Sequence, residues 1–271
     1  MINISIVLYN TSSEDINNFL SSFSQLKLEF NLILVDNSET NSLEKYFKEF
    51  NYIQYIHNPS NPGFGASHNI ALKKSLEDSR VKYHFVVNPD AYFKGDVISD
   101  MISYMNTDSE IGMLMPQILN EDGTVQFLPK LLPSPMSILL RKIKSPFFIY
   151  NDFINKYELR FVDQSEIYNA PILSGCFTLF RCTALKEIGL YDDRFFMYFE
   201  DWDISRRMHK KYKTIYYPKV SIYHKYESGA NKNKKLFKIF LASAYRYFSK
   251  WGWFFDFERT NVNKETISQF K

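Results

Sequence analysis

Short apolar runs alternate with amphipathic stretches along the first half of the chain. Apolar runs cover residues 4–8, 32–35, 53–56 and 85–87, and stretches of helical spacing follow them at 13–26, 43–50, 69–76 and 97–105. Strands that are buried on both faces have continuous apolar runs, and regular alternation with helices is typical of a parallel sheet. The pattern therefore predicts an α/β fold with a mostly parallel, Rossmann-like central sheet and helices on both faces.

The second half of the chain is less regular. Residues 129–157 contain four prolines and no acidic residue before Asp152, and we interpret them as a basic excursion from the sheet. Further strands are expected at 173–180, 214–217 and 220–223, and further helices at 201–211 and 234–251. The predicted organisation is one domain over residues 1–230, followed by a C-terminal amphipathic helical segment over residues 231–271.

The composition limits the class of protein. A chain of 271 residues with 45% hydrophobic residues can bury a full core without disulfides or structural metals. Its two cysteines, Cys176 and Cys182, form neither a metal-type pair nor a disulfide framework, which favours a reducing compartment. No signal peptide and no apolar run of about 18 residues is found, so a soluble or peripheral protein is expected.

Positive charge is concentrated near the C-terminus. Residues 219–259 contain nine Lys or Arg and three Asp or Glu, although the net charge of the chain is only +3. Eight aromatic residues lie between 245 and 257, a composition that is typical of a helix at a membrane surface. A helix packed on the sheet or in a homodimer interface is the alternative. Nucleic-acid binding is disfavoured, because the rest of the chain is acidic and carries no recognised motif.

Polar residues follow each of the first four predicted strands. Ligands of parallel sheets bind at the carboxyl ends of the strands, so these residues should converge at one edge. They are Tyr9-Asn10, Asp36-Asn37-Ser38, the loop from Asn58 to Gly65, and Asn88-Pro89-Asp90.

Asp90 is the first candidate for a metal ligand. Pro89 cannot continue a central strand, so the chain breaks there and presents Asp90 at the sheet edge, where a carboxylate can hold Mg²⁺ or Mn²⁺ against two phosphates. A simple turn explains these residues equally well. His224, at the end of the last predicted strand, could complete such a site, although a lone histidine is more often structural.

The segment from Phe199 to Asp203 carries three carboxylates in four positions. Like charges this close repel one another, and capping of the following helix needs only one acid. We therefore favour a catalytic role, in which a carboxylate acts as general base toward a hydroxyl group.

The glycine loop from Asn61 to Gly65 does not match the dinucleotide fingerprint. His68 occupies the place of the third glycine, and the loop follows the third strand, not the first. A nicotinamide enzyme is therefore disfavoured, although the glycines would permit close approach of the backbone to a nucleotide.

Together, these motifs resemble glycosyltransferase family 2, which has the GT-A fold, and within it the bacterial rhamnosyltransferases of O-antigen and other cell-surface polysaccharides. The resemblance extends from residue 4 to about residue 257. It rests on the order and spacing of Val35-Asp36-Asn37-Ser38, Asn61-Pro62-Gly63-Phe64-Gly65 with Asn69, Asn88-Pro89-Asp90, Gly175-Cys176-Phe177, and the run from Phe196 to Asp203 with Arg207 and His224.

The resemblance implies a role for each matching residue. Asp201 would be the catalytic base with Glu200 beside it, and Asp90 and His224 would hold Mg²⁺ or Mn²⁺. The nucleotide and donor would be bound by residues drawn from several loops: Tyr9, Asp36, Asn61, Gly63, Asn69, Asn88 and Arg207. For Arg207, contact with the diphosphate and contact with the acidic cluster remain equal alternatives.

The implied reaction is an inverting transfer of L-rhamnose from dTDP-L-rhamnose to a lipid-linked saccharide, by a cytoplasmic protein attached to the inner face of the membrane. Another donor, such as UDP-galactofuranose or another UDP-sugar, is one alternative, and an inactive scaffold with a transferase fold is another. Two departures from the family pattern stand out. Asn88 replaces the first acid of the usual Asp-x-Asp motif, and Lys211-Tyr212-Lys213 stands where a helix-ending glycine is common.

Overall fold

The computed structural model describes residues 1–225 and 233–271. Its strands are β1 (Ile2–Leu8), β2 (Phe30–Asp36), β3 (Ile53–His57), β4 (Tyr83–Val87), β5 (Ala91–Tyr92), β6 (Ile111–Leu119), β7 (Tyr168–Asn169), β8 (Phe177–Arg181) and β9 (Lys213–His224). Its helices are α1 (Ser13–Ser24), α2 (Phe64–Glu77), α3 (Val97–Asn106), α4 (Pro135–Ile143), α5 (Phe147–Tyr157), α6 (Cys182–Ile188), α7 (Glu200–His209), α8 (Lys234–Trp251) and α9 (Phe257–Ser268).

One mixed sheet forms the centre of the fold. Its strand order is β3-β2-β1-β4-β8-β6-β9-β5, and β7 pairs with β9. Strands β1 to β4 are parallel to one another, as predicted, and β6 is parallel to β9. Strand β8 runs antiparallel to both β4 and β6, and it therefore joins the two parallel parts. The predicted α/β class is confirmed, with this reversal as the unpredicted feature.

Strand β2 shows that helices cover both faces of the sheet. Leu32 and Leu34 belong to the same buried cluster as Phe19 of α1, whereas the intervening Ile33 packs with Ala71 of α2. Successive side chains of a strand point to opposite faces. The continuous apolar run of β2 is therefore explained by burial on both sides.

Several element boundaries differ from the predicted ones. The helix expected over 43–50 is a three-residue 3-10 turn, Glu44–Tyr46, and the two strands expected between 214 and 223 are the single strand β9. Strand β6 was not predicted. Its pairing with β9 changes register after Pro116, a residue that cannot donate to the ladder.

The excursion at 129–157 contains the helices α4 and α5. The predicted C-terminal helix is confirmed as α8, and α9 follows it. Tyr247 and Phe248 of α8 are buried against Phe199, and Phe270 after α9 packs on the main core. The predicted boundary at 230/231 lies outside the described residues.

Among the helices of the described ranges, 1–225 and 233–271, none combines the length and apolar character required to cross a bilayer.

Candidate active site

Glu200 and Asp201 begin helix α7 and are presented by a strained turn. Tyr198 and Phe199 precede them with φ of 68° and 67°, values that are uncommon for residues other than glycine. Packing holds this turn: the Phe199 ring is buried, and its centroid lies 4.6 Å from that of Trp202 and 5.5 Å from that of Tyr247. Strain of this kind persists where the surroundings over-determine it, commonly at functional sites.

Asp201 is partly exposed and is held by two backbone amides. Its Oδ1 accepts a hydrogen bond from Trp202 N at 2.9 Å, and its Oδ2 accepts one from Gly175 N at 3.3 Å. Burial raises the pKa of Asp201 to about 6, although these amides act in the opposite direction. The N-terminus of α7 also favours negative charge. Asp201 is therefore a carboxylate at neutral pH that can take up a proton.

Glu200 is buried beside Asp201, and its Oε2 has no hydrogen-bond partner within the described part of the chain. Burial, and then the neighbouring charge of Asp201, hold the pKa of Glu200 well above its ordinary value. Two adjacent carboxyl groups in unequal surroundings divide acid and base roles between them. The negative charge of the pair is therefore favoured on Asp201 over Glu200.

Lys130 is a charged group near this pair that was not recognised from the sequence as part of the site. Its side chain is buried, and Nζ donates to the carbonyl oxygens of Phe127 and Leu128 at 3.1 and 3.0 Å. Burial lowers the pKa of Lys130 to about 8, and its positive charge favours the ionised form of Asp201. The available sequence signal was a single lysine within the apolar run from Phe127 to Leu132.

The second cluster joins Asn88, Asp90 and His224. Strand β5 pairs with the end of β9, with Ala91 opposite His224. His224 Nε2 consequently lies 3.4 Å from Asp90 Oδ1 and 3.3 Å from Asn88 Nδ2. The structure thus brings the two predicted metal ligands together, and their role in metal binding stays a prediction.

This cluster fits a divalent cation with few protein ligands. Within residues 1–225 and 233–271 there is no group of three or more His, Cys, Asp or Glu side chains that could hold a metal. Asn88 Oδ1, however, is buried and has no hydrogen-bond partner in the same ranges. Carboxylate and amide oxygens suit Mg²⁺ and Mn²⁺. Asp90, His224 and the Asn88 amide oxygen are the groups that could hold the ion.

The segment Gly175-Cys176 lies between the two clusters and contacts both. Asn88 N donates to Cys176 O at 2.8 Å, and Gly175 N donates to the Asp201 carboxylate. A Cβ atom at residue 175 would lie 3.3 Å from the Asp201 Cβ, so the site is tightly packed here. The acid pair and the Asn88–Asp90–His224 cluster therefore belong to one site.

The glycine loop packs against the backbone at Phe196 and supports the turn that presents Glu200 and Asp201. Phe64 N donates to Phe196 O at 2.9 Å, and a Cβ at Gly63 would lie 2.1 Å from that oxygen. Asn69, predicted to bind nucleotide, exchanges hydrogen bonds of 2.8 and 3.0 Å with the backbone of Tyr191. The glycine loop and Asn69 therefore hold residues 191–196, which lead into α7.

The remaining nucleotide candidates lie at the ends of β1, β2 and β3. Tyr9 is exposed, and Asn61 is partly exposed with a left-handed φ of 43°. Asp36 is fully buried, where its Oδ1 accepts from Ser38 N at 2.9 Å and its Oδ2 accepts from the Tyr55 hydroxyl. Tyr9 and Asn61 are therefore accessible to a ligand, whereas Asp36 is buried beneath the surface.

Arg207 contacts the acidic cluster and the backbone of the segment before residue 191. Its Nε donates to Asp203 Oδ2 at 2.9 Å, and its terminal nitrogens donate to the carbonyl oxygens of residues 188, 189 and 190. Of the two alternatives for Arg207, these contacts favour the acidic cluster. Asp203 is fully buried and also bonds Lys250 and Trp251, so the third carboxylate of the motif is structural.

Comparison with known proteins identifies similar sequences and folds. The sequence model of glycosyl transferase family 2 matches residues 4–189. The N-acetylglucosaminyl-diphospho-decaprenol L-rhamnosyltransferase of Mycobacterium tuberculosis is 25% identical over 218 residues, which cover 76% of this chain and 70% of that protein. The rhamnosyltransferase WbbL of Escherichia coli K12 is 23% identical over 261 residues, which cover 90% and 92% of the two chains.

Two solved structures share the fold. GalNAc-T7, crystallised with UDP, GalNAc and Mn²⁺, has a TM-score of 0.63 at 16% identity over 90% of this chain. TarS of S. aureus has a TM-score of 0.58 at 15% identity over 92% of this chain. This chain spans 47% of the first protein and 40% of the second.

Proposed function

The chain belongs to glycosyl transferase family 2, and from this premise we propose that it is an inverting transferase that moves L-rhamnose from dTDP-L-rhamnose to a lipid-linked saccharide. Two relatives named as rhamnosyltransferases, at 25% and 23% identity, support the sugar. The first of them is named for a lipid diphosphate acceptor, and this supports the acceptor class.

The observation that carries the proposal is the position of Asp201, an ionised carboxylate held by Gly175 N beside the Asn88–Asp90–His224 cluster. In the proposed step, the acceptor hydroxyl gives its proton to Asp201 and its oxygen forms a bond to the anomeric carbon. The bond from that carbon to the diphosphate breaks, and the nucleoside diphosphate leaves with the electron pair. A single displacement inverts the anomeric centre. General base catalysis of this kind contributes roughly 10²–10⁴ in rate.

Asp90, His224 and the Asn88 amide oxygen would hold Mg²⁺ or Mn²⁺, which when bound supplies positive charge for the departing diphosphate. Tyr9 and Asn61 would contact the nucleotide, and Asp36 would orient the base from below. The raised pKa of Glu200 disfavours a second negative charge beside Asp201. Lys130 stabilises the ionised base.

We place the enzyme at the inner face of the cell membrane, because its acceptor would be anchored there. The basic, aromatic C-terminal part of the chain supports this location.

A donor panel tests the proposal. The melting temperature of the protein is measured with dTDP-L-rhamnose, UDP-galactofuranose and other UDP-sugars, with and without Mg²⁺. A donor at 100 times its dissociation constant stabilises a protein by about 2.7 kcal/mol. We expect a Mg²⁺-dependent rise with dTDP-L-rhamnose. A rise with a UDP-sugar alone would show that this sugar, and not dTDP-L-rhamnose, is the donor. No rise with any nucleotide would favour an inactive scaffold.

Asp201→Asn tests the base. We expect turnover to fall by roughly 10²-fold or more, while the donor-induced rise in melting temperature is kept. Asp193→Asn is the matched control, because Asp193 is an exposed acid that precedes the same turn. Turnover of Asp201→Asn close to that of the control would exclude Asp201 as the base.

A further inference from the structure

Three helices near the active site expose apolar side chains. Helix α4 exposes Met136, Leu139 and Ile143, which lie on one helical stripe at three- and four-residue spacing. The first turn of α5 exposes Phe147 and Phe148, at 74% and 69% of their full area. Helix α8 exposes a second stripe, Phe237, Leu241 and Tyr245. We call these eight residues the apolar face.

The α4 and α8 stripes adjoin. Lys142 Nζ of α4 lies 4.5 Å from the ring centroid of Phe237 and 5.7 Å from that of Phe240. The opposite faces of the helices are buried: Ile138 of α4 packs on the cluster that contains Tyr247 and Phe248 of α8. The exposed stripes therefore remain after the helices have packed on the fold.

The charge around the apolar face selects one kind of partner. Lys142 and Lys144 are exposed at the end of α4, and Lys234, Lys235 and Lys238 are exposed in the first turns of α8. No acidic residue occurs between 129 and 151 or between 233 and 251. Apolar side chains bordered by lysines match a lipid surface with anionic headgroups, where rings enter the acyl boundary and ammonium groups remain at the headgroups.

The apolar face lies one layer from the catalytic acids. The ring centroid of Phe240 in α8 is 5.3 Å from that of Phe199, and Ser243 Oγ donates to Met197 O at 2.8 Å. Both contacts are made to the turn that presents Glu200 and Asp201. A surface that rests on a bilayer through α4, α5 and α8 would therefore hold the acid pair close to the headgroups.

We propose that α4, the first turn of α5 and α8 dock on an anionic lipid bilayer and so place the active site at the membrane surface. The inference rests on the proposed lipid-linked acceptor, and it assigns the docking to α4 and α5 as well as to the C-terminal helix. Docking brings the acceptor to Asp201 by diffusion within the plane of the membrane.

Vesicle flotation of the full chain, without donor, tests the docking separately from the reaction. Vesicles of equimolar phosphatidylglycerol and phosphatidylcholine are compared with vesicles of phosphatidylcholine alone at low salt. We expect flotation with the first and little with the second. Phe147→Ser/Phe148→Ser and Lys234→Glu/Lys235→Glu should each reduce the bound fraction by roughly tenfold or more.

Matched controls lie elsewhere on the surface. Phe161→Ser removes another exposed phenylalanine, and Lys73→Glu/Lys74→Glu reverses two consecutive exposed lysines of α2. Both should float like the wild type, and all four variants should keep a cooperative thermal unfolding transition.

Each other outcome overturns the inference. If the wild type does not float but still gains stability from a donor, membrane docking is excluded and the transferase proposal stands. Equal loss in variants and controls would remove the assignment to this face. A concentration-dependent dimer that Phe147→Ser/Phe148→Ser abolishes, in a chain that does not float, would make the face an interface between two copies.

Discussion

Gln126 holds His224 through two contacts. Its Nε2 donates to the His224 carbonyl oxygen at 2.8 Å, and its Oε1 lies 3.4 Å from His224 Nδ1. An amide oxygen in that place favours a proton on Nδ1, and it leaves the lone pair of Nε2 on the side where Asn88 and Asp90 lie. Partners of this kind orient metal-binding histidines and fix their tautomer.

Gln126→Leu should therefore weaken binding of Mn²⁺ to the protein by roughly 10–100-fold, because the imidazole loses its orientation. Binding of Mn²⁺ is measured directly by electron paramagnetic resonance, without donor or acceptor. Gln117→Leu is the control, since Gln117 lies on β6 and donates to Gln164 O, away from His224. Equal Mn²⁺ affinity in the two variants would contradict a positioning role for Gln126.

The acid pair should make stability depend on pH. Asp201 has an ordinary pKa of 3.8 and a folded pKa of about 6, so the folded state holds its proton more strongly than the unfolded state. Stability from this group is fully present below about pH 4, declines as the pH rises through about 6, and stays reduced above. The raised pKa of Glu200 acts with the same sign.

Glu200→Gln should therefore raise the free energy of unfolding at pH 8 and have little effect at pH 4, because glutamine has no proton to lose while the raised pKa of the glutamic acid costs stability at high pH. Urea unfolding at the two pH values measures it. Glu49→Gln, at an exposed glutamate, is the control. A variant that is less stable than the wild type at pH 8 would show that the Glu200 carboxylate is stabilised in the fold.

Lys130 should set the acid limb of the pH–rate profile. Its charge favours ionised Asp201, so Lys130→Met should move that limb to higher pH by about half a pH unit or more. The pH dependence of kcat measures the change, and Lys156→Met, an exposed lysine of α5, is the control. A uniform loss of kcat at every pH, with no movement of the limb, would indicate a purely structural role for Lys130.

The elements with strong local patterns were predictable. Continuous apolar runs identified β1 to β4, and the crowding of Glu200, Asp201 and Asp203 identified the start of α7. Strand β6 was missed because Gly112 and Pro116 interrupt its apolar pattern. The structure shows a tertiary reason for the glycine: a Cβ at residue 112 would lie 2.4 Å from the sulfur of Met208.

Contacts between distant segments could not be derived from local patterns. The charge of Lys130 acts on Asp201 across 71 positions, and Gln126 meets His224 across 98. A motif also does not reveal what its glycines approach. Gly63 was expected near a nucleotide, and the structure places it against Phe196 O.

Substitution of Gly63 tests whether the glycine loop supports the turn that presents Glu200 and Asp201. Its φ of 104° is one that side chains rarely adopt, and an added Cβ would lie 2.1 Å from Phe196 O, a backbone atom that cannot rotate away. Gly63→Ala should lower the free energy of unfolding by about 2–5 kcal/mol, from strain and overpacking together. Gly123→Ala is the matched control, because Gly123 has a φ of 83° with open space around its Cβ position, and it should cost about 1 kcal/mol. Urea unfolding of both variants measures the difference. If Gly63→Ala costs no more than Gly123→Ala, the 196 segment can move freely, and the glycine loop does not hold the turn that presents Asp201.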